Sequence, residues 1–281
     1  MQFASLPWYD VAELRAATDS LWAHLAVRLR AEGVPAPSTL DRETHYEDQW
    51  KSGQLFLSQA CGYDVVLPFA DRLQLVATPR YSLDGCDGPR YRSFVVVRER
   101  LGATAIVDLR GARCAINTPT SHSGMNMLRA LVAPLSANGR FFRDIVVSGA
   151  HERSLELLRE GAVDVAAIDC VTFGLLARYR PAAVTSLKVI HRTRALPAPP
   201  FVTSIDTGQD VVAALRRALA LTIAGDRDSS ERLGLDGIEQ LGLAEYEPIA
   251  RMQEQASALI GSSQWPSGAE FLTAGVGSPR P

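Results

Sequence analysis

A short loop rich in hydroxyl groups, residues 117–124, carries the side chains in this sequence that are best suited to chemistry. It follows a predicted strand, Arg113–Ile116, and precedes a helix that is predicted to begin near Ser123, because apolar residues then recur at helical spacing. The first backbone N–H groups of a helix have no intrahelical acceptor, and the helix dipole adds partial positive charge there. Side-chain donors can be added by Ser121, His122 and Ser123. The loop therefore predicts a site for a phosphate, a phosphonate or a carboxylate.

The same loop also has a purely structural interpretation. Ser121 or Ser123 could act only as the N-cap of the helix, and Pro119 could only shape the turn. Gly124 would then be an ordinary residue of the first turn, whereas in a binding site it removes a Cβ where a ligand needs room. The neighbouring strand ends decide between the two interpretations.

Other residues whose side chains could bind a ligand are predicted to lie just after strands. In open α/β sheets, ligands lie beyond the carboxyl ends of the strands. His151 opens the helix after the predicted strand Ile145–Ser148, and Asp169 stands at the end of Val163–Ile168. Aromatic residues hold equivalent positions in the first part of the chain. The candidate ligand-binding residues are Ser121, His122, Ser123, Gly124, His151, Asp169, Tyr9, Trp8 and Tyr63.

Each of these additional residues has a structural alternative. His151 could be a surface residue in the first turn of its helix, and Asp169 could simply cap the helix that starts at Cys170. Trp8 and Tyr9 could pack under the first helix, and Tyr63 could be a half-buried aromatic residue of no particular function. The argument for a site rests on their common placement at strand ends.

Composition and motifs exclude several classes of protein. A net charge of -2 and a pI near 6.2, without a basic tract, argue against a nucleic-acid partner. No apolar run approaches the roughly 20 residues needed to span a bilayer. The four cysteines are far apart and form no CxxC pair, so no metal site is predicted. Nucleotide-binding loops and the common hydrolase motifs are also missing from the sequence, and no cofactor and no catalytic residue is predicted.

Helical and strand patterns alternate along most of the chain, which favours an α/β fold. A length of 281 residues exceeds the usual size of one domain and favours two lobes. Two predicted passages between the lobes coincide with segments rich in turn residues and in proline, Tyr81–Tyr91 and Ala195–Thr203. One lobe is therefore predicted to comprise residues 1–88 and 201–281, and the other, with the anion-binding helix start, residues 89–200.

Three motifs carry a resemblance to a known family. Asp108-Leu109-Arg110-Gly111 is followed by Ala115-Ile116-Asn117-x-Pro119-x-Ser121-x-Ser123-Gly124. Ser148-Gly149-Ala150-His151-Glu152-x-Ser154-Leu155 and Asp164-Val165-Ala166-Ala167-Ile168-Asp169 come later. Together these motifs resemble the solute-binding proteins of phosphate and phosphonate ABC transporters over residues 90–205, although His122 stands where that family usually has threonine.

The resemblance implies a type II periplasmic-binding-protein fold, in which two α/β lobes joined by a hinge hold the ligand in the cleft between them. It implies that Ser121, His122 and Ser123 bind a small oxyanionic solute, and that His151 and Asp169 contact it. Aromatic residues of the first lobe would cover the organic part of the ligand. The implied partners are a small-molecule anion and an ABC-transporter permease, and no nucleic acid.

Two other functions are compatible with the same pattern. The chain could be a cytoplasmic enzyme on this fold that acts on a carboxylated or phosphorylated metabolite, with His122 or His151 as general base and Asp169 orienting it. It could also be a sensor that signals by closing on its ligand. The sequence as written has no export signal after Met1 and predicts a cytoplasmic protein, or a periplasmic one if a leader was removed.

Overall fold

The computed structural model describes residues 2–260 and 264–266. The strands in the described part of the chain are β1 (Phe3–Ala4), β2 (Leu55–Gln59), β3 (Leu73–Tyr81), β4 (Arg90–Tyr91), β5 (Ser93–Arg98), β6 (Arg113–Ile116), β7 (Asp144–Val147), β8 (Val165–Asp169), β9 (Leu187–Arg192), β10 (Leu196–Pro197), β11 (Phe201–Ser204) and β12 (Leu235–Glu239). The α-helices are α1 (Arg15–Ala31), α2 (Tyr46–Lys51), α3 (Gly62–Val66), α4 (Met127–Val132), α5 (His151–Glu160), α6 (Cys170–Tyr179), α7 (Gln209–Gly225), α8 (Arg227–Leu233) and α9 (Leu243–Ile260).

The chain divides into two compact units. The first comprises the residues up to Arg90 together with Pro197–Tyr246, and the second comprises Tyr91–Leu196 and the residues from Glu247 onward. Two of these boundaries fall in the passages that the sequence indicates. The third falls inside α9, whereas the sequence-based division keeps residues 201–281 together.

The reason for this third boundary is the apolar face of α9. Ala256 and Ile260 belong to the hydrophobic core of the second unit. The carbonyl of Ile249 also accepts a hydrogen bond from Asn126 Nδ2 at 3.1 Å. Of the tail predicted over Ser262–Pro281, residues 264–266 are described, and the rest lies outside the described residues.

The first unit contains a five-stranded mixed sheet in the order β1-β2-β11-β3-β12. Strand β1 is parallel to β2, whereas β11 is antiparallel to both β2 and β3. The carboxyl ends of β1, β2 and β3 consequently share one edge of the sheet. Apolar faces of α1 and α7 cover the sheet with Trp22, Leu25 and Leu215, which are buried in one core with Phe56.

The second unit contains a five-stranded sheet in the order β7-β6-β8-β5-β9. Strand β6 is parallel to both β7 and β8, and β5 is antiparallel to β8 and β9. The carboxyl ends of β6, β7 and β8 therefore meet at one edge, where β5 begins with Ser93 opposite Asp169. The hydrophobic core of the second unit lies between this sheet and α4, around Val95, Ile116 and Leu128.

Candidate functional site

The loop for which the sequence predicts anion binding leads into an unusual helix start. The helix begins with a π-helical turn, His122–Asn126, and continues directly into α4. Ser121 precedes the turn in an extended conformation, and its hydroxyl oxygen accepts a hydrogen bond from the backbone N–H of Gly124 at 3.0 Å. Ser121 is therefore the N-cap of the turn, but its hydroxyl hydrogen can still be donated elsewhere. π-helical turns of this kind are frequent at functional sites.

Ser123, His151 and Asp169 come together at the carboxyl edge of the second sheet. The Ser123 hydroxyl lies 2.9 Å from His151 Nε2, and the same nitrogen lies 3.4 Å from Asp169 Oδ2. All three residues were candidates from the sequence. Asp169 also caps α6, because its other carboxylate oxygen accepts from the backbone N–H of Thr172 at 2.8 Å.

The electrostatics of this group favour a neutral imidazole. Burial lowers the pKa of His151 below its ordinary value of 6.5, although the Asp169 carboxylate and the backbone of Ala167 act in the opposite direction. A neutral imidazole with its proton on Nε2 donates to the Ser123 hydroxyl, and the hydroxyl is then free to donate its own hydrogen onward. The contact with His151 thus fixes the position of the Ser123 hydroxyl at the helix start.

Gly124 is required by close packing inside the site. A Cβ at this position would lie 2.0 Å from Asn117 Oδ1 and 3.0 Å from His151 Cε1. The space beside Gly124 is therefore filled by two side chains of the site. Sequence reasoning quoted Asn117 as part of the motif but did not identify its contact with Gly124.

The His122 side chain is directed into the protein. It is fully buried, and its Nδ1 lies 3.2 Å from Asn126 Nδ2. Its ring centroid lies 6.4 Å from that of Tyr91. Burial, with a smaller effect of the Arg194 charge, lowers the pKa of His122 from 6.5 to about 3. This imidazole is therefore neutral at physiological pH.

Ser93 is a supporting residue that the sequence analysis missed. Its hydroxyl lies 2.9 Å from the carbonyl oxygen of Ser123, to which it donates. This contact connects the first residue of β5 to the π-helical turn. A serine in a strand gives no sequence signal for such a role.

The aromatic candidates lie in the first unit at the carboxyl ends of its strands. Trp8 stacks on Trp50 with ring centroids 6.0 Å apart, and Tyr9, with a positive φ of 65°, meets Tyr81 edge-on at 5.3 Å. Tyr63 lies in the first turn of α3. Their common sheet edge agrees with the sequence pattern, and their contribution to ligand binding stays a prediction.

A buried carboxyl group accompanies these aromatic residues and was also missed. Asp64 follows Tyr63 directly and is 6% exposed. Burial raises the pKa of Asp64 well above its ordinary value, and the charge of Glu47 acts in the same direction. Nothing in the sequence around Asp64 distinguishes it from a surface residue of a short helix.

Comparison with known proteins decides the family. The model of the family described as "ABC transporter, phosphonate, periplasmic substrate-binding protein" matches residues 3–246. The chain belongs to this family. A comparison with curated proteins found no match.

Solved structures with the same fold include members of this transport class. PhnD1 from Prochlorococcus marinus, solved in complex with methylphosphonate, superposes with a TM-score of 0.70 at 14% identity over 86% of this chain and 93% of its own. PA3383 from Pseudomonas aeruginosa, a binding protein component of an ABC phosphonate transporter, has a TM-score of 0.70 at 14% identity over 90% and 85% of the two chains. XAC2383 from Xanthomonas citri, solved with bound ATP, has a TM-score of 0.66 at 14% identity over 86% and 96%. At these identities the likeness establishes the fold.

Family membership and fold confirm the prediction of a phosphonate-type solute-binding protein of the α/β periplasmic-binding-protein class. Within residues 2–260 and 264–266, no helix is long and apolar enough to cross a membrane. The same described residues contain no group of histidine, cysteine, aspartate or glutamate side chains that could hold a metal ion.

The site geometry also differs from that of a serine–histidine–aspartate triad. In a serine–histidine–aspartate triad, the hydroxyl and the carboxylate contact opposite nitrogens of the imidazole. Here Ser123 and Asp169 approach the same nitrogen of His151. The family's solute-binding role accords with this arrangement, in which the three residues orient a hydrogen-bond donor.

Proposed function

We propose that this member of the family binds a phosphonate or a phosphate ion at the start of the π-helical turn. The observation that carries the proposal is the Ser123 hydroxyl, which lies 2.9 Å from a buried imidazole at the point where β6 passes into a helix. The phosphonate family match and the fold shared with a methylphosphonate complex support this choice of ligand.

The donors suit a tetrahedral oxyanion. Helix-start amides and the hydroxyls of Ser121 and Ser123 would each donate to a separate phosphoryl oxygen, and the helix dipole favours the negative charge. The neutral His151 would hold the Ser123 hydroxyl in its donating orientation. We propose no direct contact for the His122 imidazole, because Asn126 engages it on the buried side of the turn.

Titration calorimetry with methylphosphonate, phosphate and sulfate tests this assignment. Ser123→Ala should weaken binding of the preferred anion about ten- to a hundredfold, because a hydrogen bond to a charged group is lost. Ser136→Ala is the matched control: its hydroxyl donates to the Val132 carbonyl at 3.0 Å, just beyond α4. Unchanged affinity of Ser123→Ala, or equal losses in both variants, would contradict the proposed contact.

We also propose that the protein delivers this anion to an ABC-transporter permease in the periplasm, as its family membership suggests. Expression from the native gene, followed by osmotic shock, should release the protein with a periplasmic marker. Retention with a cytoplasmic marker would contradict this location. Loss of phosphonate-dependent growth on deletion of the gene, restored by the wild type and not by Ser123→Ala, would support the transport role.

A further inference from the structure

The second unit contains a cavity that the proposed anion site does not use. It has a volume of about 510 Å³ and lies along α4 and α9, beside the end of β9. This volume falls in the range of about 300–1,000 Å³ that is usual for small-molecule sites. We call the cavity the methionine groove, after the two residues Met127 and Met252 that line it.

One part of the wall of the methionine groove is apolar and adaptable, whereas His191, Thr193 and Gln255 make the rest of it polar. Met127 is buried, whereas Leu131 and Met252 are partly exposed to the groove. Methionine side chains are unbranched and polarizable, so they can adjust to apolar groups of different shape. These walls suit a short alkyl chain or a ring.

The rim of the methionine groove is cationic. Arg194 and Arg251 both line it, and no aspartate or glutamate in the described part of the chain does so. The Arg194 side chain is exposed and forms no ion pair with any described residue. Arg251 has an exposed partner one helical turn away, Glu247 at 3.0 Å. A guanidinium without an ion pair, beside a partly apolar cavity, favours a ligand that carries negative charge at one end.

We propose that the methionine groove is a second ligand site, which takes small anions with an apolar body, such as a medium-chain carboxylate. Arg194 would bind the anionic end, and Met127, Leu131 and Met252 would contact the apolar body. A ligand of this kind differs from a simple phosphonate, which has little apolar surface to bury. The groove is therefore expected to bind independently of the anion at Ser123.

NMR of the protein labelled with ¹³C at its methionine methyl groups tests the proposal directly. Four methionines are present, so the spectrum is simple, and Met252 reports on the groove. Met127 is a less selective probe because its sulfur also lies 3.2 Å from the Ser93 hydroxyl, next to the phosphonate site. Octanoate should shift the Met252 signal saturably, octanamide should bind more weakly, and octylammonium more weakly still.

Matched arginine variants separate a specific site from a general charge effect. Arg194→Gln should weaken octanoate binding about fivefold, the upper range for one exposed ion pair, whereas octanamide binding should be unchanged. Arg143→Gln is the control, because Arg143 is an exposed arginine of the same unit that pairs with Asp144 at 2.8 Å. Equal octanoate affinities of the two variants would overturn the proposal.

A second comparison separates the groove from the proposed phosphonate site. Saturating methylphosphonate should leave the octanoate shift of Met252 in place, and Ser123→Ala should bind octanoate as the wild type does. Displacement of octanoate by methylphosphonate would overturn the proposal, since it would place both ligands in one site. An unshifted Met252 signal at millimolar octanoate would overturn it as well.

Discussion

Replacement of Gly124 by alanine is the sharpest test of how the site is packed. Alanine normally stabilises a helical position relative to glycine by about 0.5–1 kcal/mol. At Gly124 the added Cβ would lie 2.0 Å from Asn117 Oδ1 and 3.0 Å from His151 Cε1, so both side chains must move. Overpacking of this kind costs about 1–3 kcal/mol, and it reverses the usual sign of the substitution.

The expected outcome is a less stable protein that binds its anion poorly. A net loss of about 1–2 kcal/mol lowers the melting temperature of a domain of this size by about 2–8 °C. Displacement of His151 also breaks its hydrogen bond with the Ser123 hydroxyl. The Kd for methylphosphonate should therefore rise about tenfold or more. Differential scanning calorimetry and titration calorimetry measure the two effects.

A second substitution identifies the cause of the loss. Asn117 Oδ1 is buried and accepts no hydrogen bond from any described residue, so Asn117→Ala alone should cost little. When Asn117→Ala is combined with Gly124→Ala, it should remove the closest contact of the new Cβ. The double variant should then recover at least about 1 kcal/mol of stability relative to Gly124→Ala, which is a coupling energy typical of side chains in contact.

Gly225 provides the control for Gly124→Ala. It is the last residue of α7, and the nearest atom to an added Cβ is the end of the flexible Arg28 side chain at 3.1 Å. Gly225→Ala should therefore be neutral or slightly stabilising. A Gly124→Ala protein that melts at the temperature of Gly225→Ala and binds methylphosphonate as the wild type does would show that the site is not tightly packed at Gly124.

Two further predictions concern ionisation in the second unit. Burial lowers the pKa of His122 to about 3, so the unfolded chain takes up a proton more readily than the folded protein, and the free energy of unfolding should fall by up to about 1.4 kcal/mol per pH unit below pH 6.5. Melting temperatures measured between pH 7 and pH 4 should therefore depend less on pH in His122→Gln than in the wild type. Parallel curves for the two proteins would contradict this prediction. The carboxylate of Asp164 pairs with Arg113 at 2.7 Å and with Arg98 at 3.1 Å, and mainly Arg113 lowers the pKa of Asp164 to about 2. The stabilisation of the folded protein by these ion pairs should therefore be present above pH 3.8 and disappear as the pH falls towards 2. Asp164→Asn should cost about 1–3 kcal/mol in thermal or urea unfolding at pH 7, and a loss that persists unchanged at pH 2 would contradict the charge-based explanation.

Much of the local structure follows from the sequence because its signals are local. The predicted bounds of β6, Arg113–Ile116, agree with the observed ones, since its apolar run and flanking turn residues lie within a few positions of each other. Gly161 ends α5 with a positive φ of 78°, as a glycine at a helix terminus is expected to do. The strand order then places the predicted candidates of each unit at one sheet edge.

Other elements depend on contacts that a local pattern does not contain. Strand β12 gives no strand signal of its own, because it is charged and contains Gly237. It becomes a strand by pairing with β3, from which more than 150 positions of sequence separate it. A segment whose hydrogen-bond partners are so distant carries little evidence of its structure in its own residues.

The site shows the same division between local and distant information. Hydroxyl groups, a glycine and a following helix predict an anion-binding loop at residues 117–124 from sequence alone, because helix-start donors are a local property. Only the tertiary structure shows that Gly124 makes room for Asn117 and His151, that His122 is buried against Asn126, and that Ser123, His151 and Asp169 meet. Those facts depend on the packing of β6, β7 and β8 side by side, since it is the sheet that brings together side chains as distant along the chain as Ser123 and Asp169, which are 46 positions apart.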